Sequence, residues 1–202
     1  MAAFDHLAVS AGTLEAGTAH VEAALGVPLE HGGKHPHMGT HNRLLSLGPE
    51  EYLEVIAIDP DAPKPPHPRW FALDRFAGPP RLTNWIARVD DLDAALAAAP
   101  AGAGRATDLA RGDFRWRFGV PADGCLPFGD AFPALIEWQG TARPAARLPD
   151  RGCRLIRLEI TCPEPGALAS ALPVTDPRIV IAAGEKSLRA TIRTPHGDRV
   201  LA

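Results

Sequence analysis

The feature that most constrains this chain is a repeated unit: a short strand-like run, a turn, a helix opening on an apolar-acidic-Ala triplet, and a later strand carrying a glutamate among apolar residues. It occurs as FDHLAVSAGTLEA (Phe4 to Ala16) leading to YLEVIAI (Tyr52 to Ile58), and again as RLTNWIARVDDLDA (Arg81 to Ala94) leading to ALIEWQ (Ala134 to Gln139). Aligning Leu14-Glu15-Ala16 on Leu92-Asp93-Ala94 gives an offset of 78 and sets His6 on Asn84, while the later strands set Glu54 on Glu137. Two copies of one supersecondary unit therefore present matched polar residues, and repetition on this scale organises everything else in the chain.

Within the first copy, Phe4 to Ser10 alternates, with Leu7 and Val9 on one face and Phe4, His6 and Ala8 on the other. Thr13 caps a helix from Leu14 to about Leu25, which Gly26-Val27-Pro28 stops. The Gly-, His- and Pro-rich stretch from His31 to Asn42 reads as a loop, followed by strands at Arg43 to Leu47 and Tyr52 to Ile58. Five prolines between Asp59 and Pro68 mark a linker, and Trp70 to Phe76 reads as a short bridging helix. The second copy runs as a strand at Leu82 to Val89, a helix at Asp91 to Ala99, a Gly/Ala loop, and strands at Phe114 to Val120 and Phe132 to Gln139. A third round begins at Arg154 to Thr161 and continues through a short helix to about Leu172 and strands at Arg178 to Ala182 and Ser187 to Thr194. There Arg157 replaces His6 and Leu201 falls where the glutamate is expected, so this copy is structural. The expected division is 1–60, first unit; 61–80, linker and short helix; 81–140, second unit; and 141–202, partial third unit.

Composition sets the outer bounds. With 202 residues, 46% apolar and 22% charged, the chain has ordinary globular character, and a net charge of -3 lacks the basic face that nucleic-acid binding requires. Cys125, Cys153 and Cys162 form no CxxC pair and are odd in number, which fits a reducing compartment rather than a disulfide framework. No cationic and apolar leader precedes Phe4, and no apolar run approaches membrane-spanning length, so the expectation is a cytoplasmic protein with no membrane partner. Its expected partner is a small-molecule substrate, and a homodimer is allowed.

DHLAVSAGTLEA, the loop GGKHPHMGTHN (Gly32 to Asn42), YLEVIA and the later PALIEWQ together resemble the glyoxalase-like branch of the vicinal oxygen chelate superfamily. The resemblance covers residues 4–140 well and the C-terminal third weakly. It implies an α+β fold of paired βαβββ units whose curled sheets close around a cup. It also implies a divalent metal held by residues from the first and last strands of each unit, here His6, Glu54, Asn84 and Glu137.

The residues support part of that set on their own. Mid-strand carboxylates among apolar neighbours are costly to bury unless they meet a cation or a donor, and two in one cup repel each other. Imidazole and carboxylate suit Zn, Mn, Fe, Co or Ni. Asn84 is a neutral, weaker donor, which leaves His6, Glu54 and Glu137 as metal ligands and counts against a two-histidine, one-carboxylate oxygenase. The alternatives are glutamates that face solvent or pair with Arg88, Arg115 or Arg117, and a His6 that is a hydrogen-bonded core residue. His31, His35, His37 and His41 crowd one loop, read as a cover for the cup mouth, with His41 and Asn42 touching substrate alongside Asn84 and Arg115. Trp85, Trp116 and Trp138 fit a core or an aromatic wall equally well. The leading expectation is a glyoxalase-like enzyme, of lyase, isomerase or hydrolase type, in which a divalent metal polarises a small oxygen-rich or anionic substrate and Glu137 or Glu54 acts as base. The alternative is a metal-free protein of the same fold that binds or sequesters a small molecule.

Overall fold

A computed structural model of the chain describes residues 2–202. The first unit comprises β1 (Ala2–Ser10), α1 (Leu14–Leu25), β2 (Glu30–His35), β3 (Thr40–Ser46) and β4 (Tyr52–Ile58). The second comprises β5 (Arg81–Val89), α2 (Leu92–Ala98), β6 (Arg105–Arg111), β7 (Phe114–Val120), a single-turn α3 (Pro127–Asp130) and β8 (Ala134–Gln139). Their strands form one eight-stranded sheet in the order β2-β3-β4-β1-β5-β8-β7-β6, which reads the same way from either end once the units are exchanged. In each unit the last strand lies parallel to the first, and β1 meets β5 antiparallel at the centre. The sheet curls until its two edge strands, β2 and β6, approach each other.

Strand alternation then sorts side chains to two faces. Leu7, Val9, Leu53 and Val55 point to the convex face and pack in the larger core with α1. Ala8, Ile56, Ile86 and Ile136 point into the concavity and form a second apolar cluster. Thr13 caps α1 by accepting from the Ala16 N–H at 3.1 Å, and Gly26, in the left-handed region at φ 73°, ends it. Gly17 lets the helix sit close on β4, since a Cβ there would lie 2.5 Å from Val55 Cγ1.

The linker does more than connect the units. A 3-10 helix at Trp70–Arg75 inserts Trp70, Phe71 and Leu73 into the inner cluster, filling part of the concavity. Phe71 and Ala72 both take left-handed backbone, at φ 56° and 51°, a conformation that costs non-glycine residues on the order of 1 kcal/mol or more each and persists only when its surroundings hold it. Here Arg69 donates to Asp74 at 2.5 Å, and the Ala72 N–H donates to the Gly124 carbonyl at 2.8 Å. Gly124 is itself left-handed, at φ 80°, and a Cβ on it would lie 2.2 Å from the Arg69 carbonyl oxygen. Gly124→Ala should therefore cost roughly 1–3 kcal/mol, read as a lowered melting temperature; an unchanged one would show that the insert is loosely held.

Beyond residue 150 come β9 (Arg154–Cys162), α4 (Pro165–Ala171), β10 (Ile179–Ala183), β11 (Ser187–Thr194) and β12 (Gly197–Leu201). The order of elements repeats the earlier units, but the strand order does not: the four-stranded sheet runs β10-β9-β11-β12, with the strand after the helix parallel to the first. Its apolar residues, Leu201 among them, join the convex core, and Arg157 is an exposed partner of Glu159 at 3.4 Å. Arg178 ties this sheet to Glu51 at 2.6 Å, and Lys186 ties it to the Thr83 carbonyl at 2.7 Å. Among the described residues no helix is long and apolar enough to cross a membrane.

Two stretches expected as loops are strands. His31 to Asn42 is the β2–β3 hairpin, turning at residues 36–39, and the Gly/Ala loop of the second unit includes β6. Both are sheet edges, EHGGKH and RATDLAR, whose sequences lack the apolar runs that burial imposes on the inner strands. A covering loop is therefore absent at this position, and its residues belong to the wall.

Candidate functional site

The site begins at an irregularity in β1. Phe4 pairs with Ala87 and His6 with Ile86, so Asp5 is an extra residue in the ladder. Such a bulge re-aims side chains, and here it returns Phe4 to the convex core with Leu7 and Val9 while turning Asp5 and His6 toward the cup. Asp5 Oδ1 accepts from His6 Nδ1 at 2.6 Å, and Oδ2 accepts from the Trp138 indole at 2.9 Å. That fixes the imidazole, leaving Nε2 3.7 Å from Glu54 Oε2. The Tyr52 ring stacks on His6 at 4.2 Å, and its phenol is pushed well above the usual range, first by burial and then by the carboxylates of Asp5 and Glu54.

Asn42 holds the other side of Glu54. The Gly33 N–H donates to Asn42 Oδ1 at 2.7 Å and Arg111 donates to the same oxygen at 3.2 Å, so Nδ2 must face Glu54 Oε1, to which it donates at 2.5 Å. The glycines of β2 make this possible, because a Cβ on Gly32 would lie 2.0 Å from Asn42 Oδ1 and one on Gly33 would lie 2.7 Å from Arg111 Cδ. Arg111, at the end of β6, also donates to His35 Nε2 at 3.2 Å, bridging the two edges of the sheet. Arginine has no acceptor, so His35 receives through Nε2 and offers its Nδ1–H to Thr40 Oγ1, 3.1 Å away. Burial, aided by Arg111, drives the His35 pKa down to about 3, and the ring is neutral.

The resulting cavity has an acidic end, where Glu54 lines it and Asp5 stands behind His6, and a cationic end, Arg111, separated by the Asn42 amide. Trp70, Phe71, Trp116, Phe118 and Trp138 wall it. His6 and Glu54 are only 4% and 5% exposed, dry enough for their electrostatics to be strong.

Of the residues expected from sequence, His6, Glu54 and Asn42 come together here. Glu137 does not. The parallel registers pair Ala8 with Glu54 and Ile86 with Ala134, so under the offset of 78 that sets Ala8 on Ile86 the counterpart of Glu54 is Ala134. Glu137 lies three residues further on, and an odd displacement puts it on the outer face, where it accepts from the Leu92 N–H at the start of α2 at 2.8 Å and pairs with Arg117 at 3.4 Å. His41 pairs with Ala57 and faces the convex side, away from Asn42. Arg115 is exposed on the outer face of β7 and donates to the Gly112 carbonyl at 2.6 Å. Asn84 is 1% exposed, has neither amide atom partnered among the described residues, and lines a separate cleft beside Phe71 and Lys186.

These positions bear on a metal. Among the described residues no three His, Cys, Asp or Glu groups are placed to hold one ion. The cup offers two converging donors, His6 and Glu54, with a guanidinium already hydrogen-bonded at its other end. That set does not fit a resident divalent ion, for which three protein ligands are the usual minimum. Sequence reasoning missed Asp5, whose role depends on the bulge, and His35 and Arg111, which lie on the two edge strands; a carboxylate directly preceding the paired histidine was the one available signal.

The family model of the glyoxalase-like domain matches residues 4–175. The chain belongs to the glyoxalase-like domain family. A hypothetical protein from Staphylococcus aureus, of known crystal structure, shares 13% identity, with 93% of this chain and 88% of that one covered at a TM-score of 0.61. Methylmalonyl-CoA epimerase from Mycobacterium tuberculosis shares 22% identity over 71% of this chain and 91% of its own, at a TM-score of 0.44. No curated protein matches the chain. At 13% identity the likeness to the staphylococcal protein is one of fold, and the chemistry of this glyoxalase-like protein has to come from its own residues.

Proposed function

We propose that this glyoxalase-like protein is an enzyme that moves a proton on a small oxygen-bearing or anionic substrate held in the cup, an isomerase- or lyase-type reaction. The observation that carries this is the buried pair of His6 Nε2 and Glu54 Oε2 at 3.7 Å, each oriented from behind by a dedicated partner. Asn42 holds Glu54 Oε1, leaving Oε2 for the substrate, which makes Glu54 the base. His6 is the acid partner: when it gains a proton, the Asp5 carboxylate stabilises the imidazolium through Nδ1, as in other carboxylate–histidine pairs. Arg111, at the opposite end, neutralises negative charge on the substrate oxygens, so polarisation falls to a side chain of the protein. A protein that only sequestered its ligand would have no use for a doubly oriented acid–base pair.

The test is incorporation of solvent deuterium into small carbon acids incubated with the full-length protein, followed by mass spectrometry. Wild-type protein should label at least one compound carrying a carbonyl or carboxylate beside its exchangeable carbon, and Glu54→Gln should not. Equal labelling by both proteins would remove Glu54 as the base; binding without labelling would favour sequestration.

A further inference from the structure

We propose that the cup's ligand is a planar, aromatic or conjugated carboxylate, with its carboxylate on Arg111 and Trp70 and its body between the aromatic walls. This rests on the acid–base assignment only for which end of the ligand reaches Glu54. Arg111 has no carboxylate within 4.0 Å among the described residues, unlike Arg69, Arg88, Arg117 and Arg178, and it is half-buried. Its contacts, His35 Nε2 and Asn42 Oδ1, are neutral acceptors, so its charge is hydrogen-bonded but not compensated.

A second, independent observation lies beside it. Among the described residues the Trp70 indole N–H is buried with no acceptor, a donor that folding has left unsatisfied. Trp70 lines the cavity and contacts His35 edge-on at 5.2 Å between ring centroids, so the ring that carries the orphan donor and the uncompensated cation both adjoin the same imidazole. Together they match the two oxygens of one carboxylate. A phosphate asks for more donors than one guanidinium and one indole provide, and no lysine lines the cavity.

Orientation follows from charge. Asp5 and Glu54 repel an anion from their end, and the Asn42 amide, bonded to Arg111 through Oδ1 and to Glu54 through Nδ2, sets the spacing between the two. A carboxylate on Arg111 therefore directs the body of the ligand, with the carbon acid it carries beyond the carboxylate, toward Glu54. Trp116 and Phe118 on β7 and Trp138 on β8 line that path, and the space between the walls is narrow, a cavity of about 30 Å³, which favours a flat body over a bulky aliphatic one.

The probe is benzoate, compared with the neutral benzamide, the non-planar cyclohexanecarboxylate and inorganic phosphate, with binding followed by tryptophan fluorescence and by calorimetry on the full-length protein. Benzoate should bind at least tenfold more tightly than each of the other three. Arg111→Gln should weaken benzoate by roughly 10- to 100-fold and leave benzamide nearly unchanged, and Trp70→Phe, which keeps the ring and removes the N–H, should weaken benzoate by roughly 2- to 10-fold. Benzoate that fails to bind at millimolar concentration, binds no better than benzamide or phosphate, or is indifferent to both substitutions would overturn the proposal. Glu54→Gln separates the two readings: it should retain or tighten benzoate binding while abolishing deuterium exchange. Exchange surviving in that variant defeats the acid–base assignment alone, and loss of carboxylate preference with exchange still dependent on Glu54 defeats this one alone.

Discussion

Glu54→Gln should lower the rate of deuterium exchange by roughly 10²- to 10⁴-fold while the melting temperature holds or rises. Glutamine keeps the shape of the side chain, so its oxygen still accepts from the Asn42 amide that now donates at 2.5 Å, and its new N–H₂ faces the lone pair of His6 Nε2. What disappears is the basic oxygen and one of two carboxylates sharing the acidic end of the cup. Removing one of two neighbouring like charges relieves repulsion, which sets the sign of the stability change. Glu137→Gln supplies the contrast. Because Glu137 accepts from the Leu92 N–H at 2.8 Å and pairs with Arg117 on the outer face, its loss should cost α2 about 0.5–1 kcal/mol and leave exchange untouched. Equal losses of exchange in the two variants would mean that the outer glutamate reaches the chemistry after all.

The two glutamates also show where sequence stops being informative. The repeat was legible because the inner strands are apolar runs buried on both faces and each helix opens on a matching triplet, and from that the paired units follow, while the cup came from the family resemblance. The faces of β4 and β8 were not both legible. YLEVIAI and ALIEWQ look alike, yet Tyr52 and Glu54 face the cup in one while Ile136 and Trp138 do so in the other, and only the pairing with β1 and β5 decides which. An odd shift between two similar strings, three residues here, inverts every side chain.

Asp5 was hidden for a related reason. Strict alternation puts Phe4 with His6, and a bulge, which adds one residue without any marker in the sequence, puts Phe4 with Leu7 instead. His35 and Arg111 were hidden by their elements: edge strands bury little and so carry little pattern. The cationic end of the site is built from the two strands with the weakest pattern, brought together only by the curl of the sheet. Local sequence could name His6, Glu54 and Asn42, and the bulge and tertiary closure supplied the rest.

His35 offers the largest expected effect on stability. An unfolded histidine titrates near 6.5, and in the fold His35 is held down to about 3, first by burial and then by the neighbouring Arg111. Between those values the unfolded chain binds one proton more than the native protein, so the free energy of unfolding rises with pH by about 1.4 kcal/mol per unit and is flat, with the contribution complete, above about 6.5. As pH falls through this window the contribution is lost. Over the whole span it amounts to about 4–5 kcal/mol, a large share of the stability of an ordinary domain. Carboxylates add their own acid sensitivity below about pH 5, so the clean window is pH 5 to 6.5. There His35→Gln, whose amide oxygen can still accept from Arg111, should remove about 2 kcal/mol of the pH dependence, or roughly 4–8 °C of melting-temperature change, relative to wild type. Titrations of the remaining histidines are common to both proteins and cancel in the difference. Identical pH dependence in the two would mean that His35 can be protonated in the folded state, and the short contact from Arg111 to its Nε2 would have to break near neutral pH.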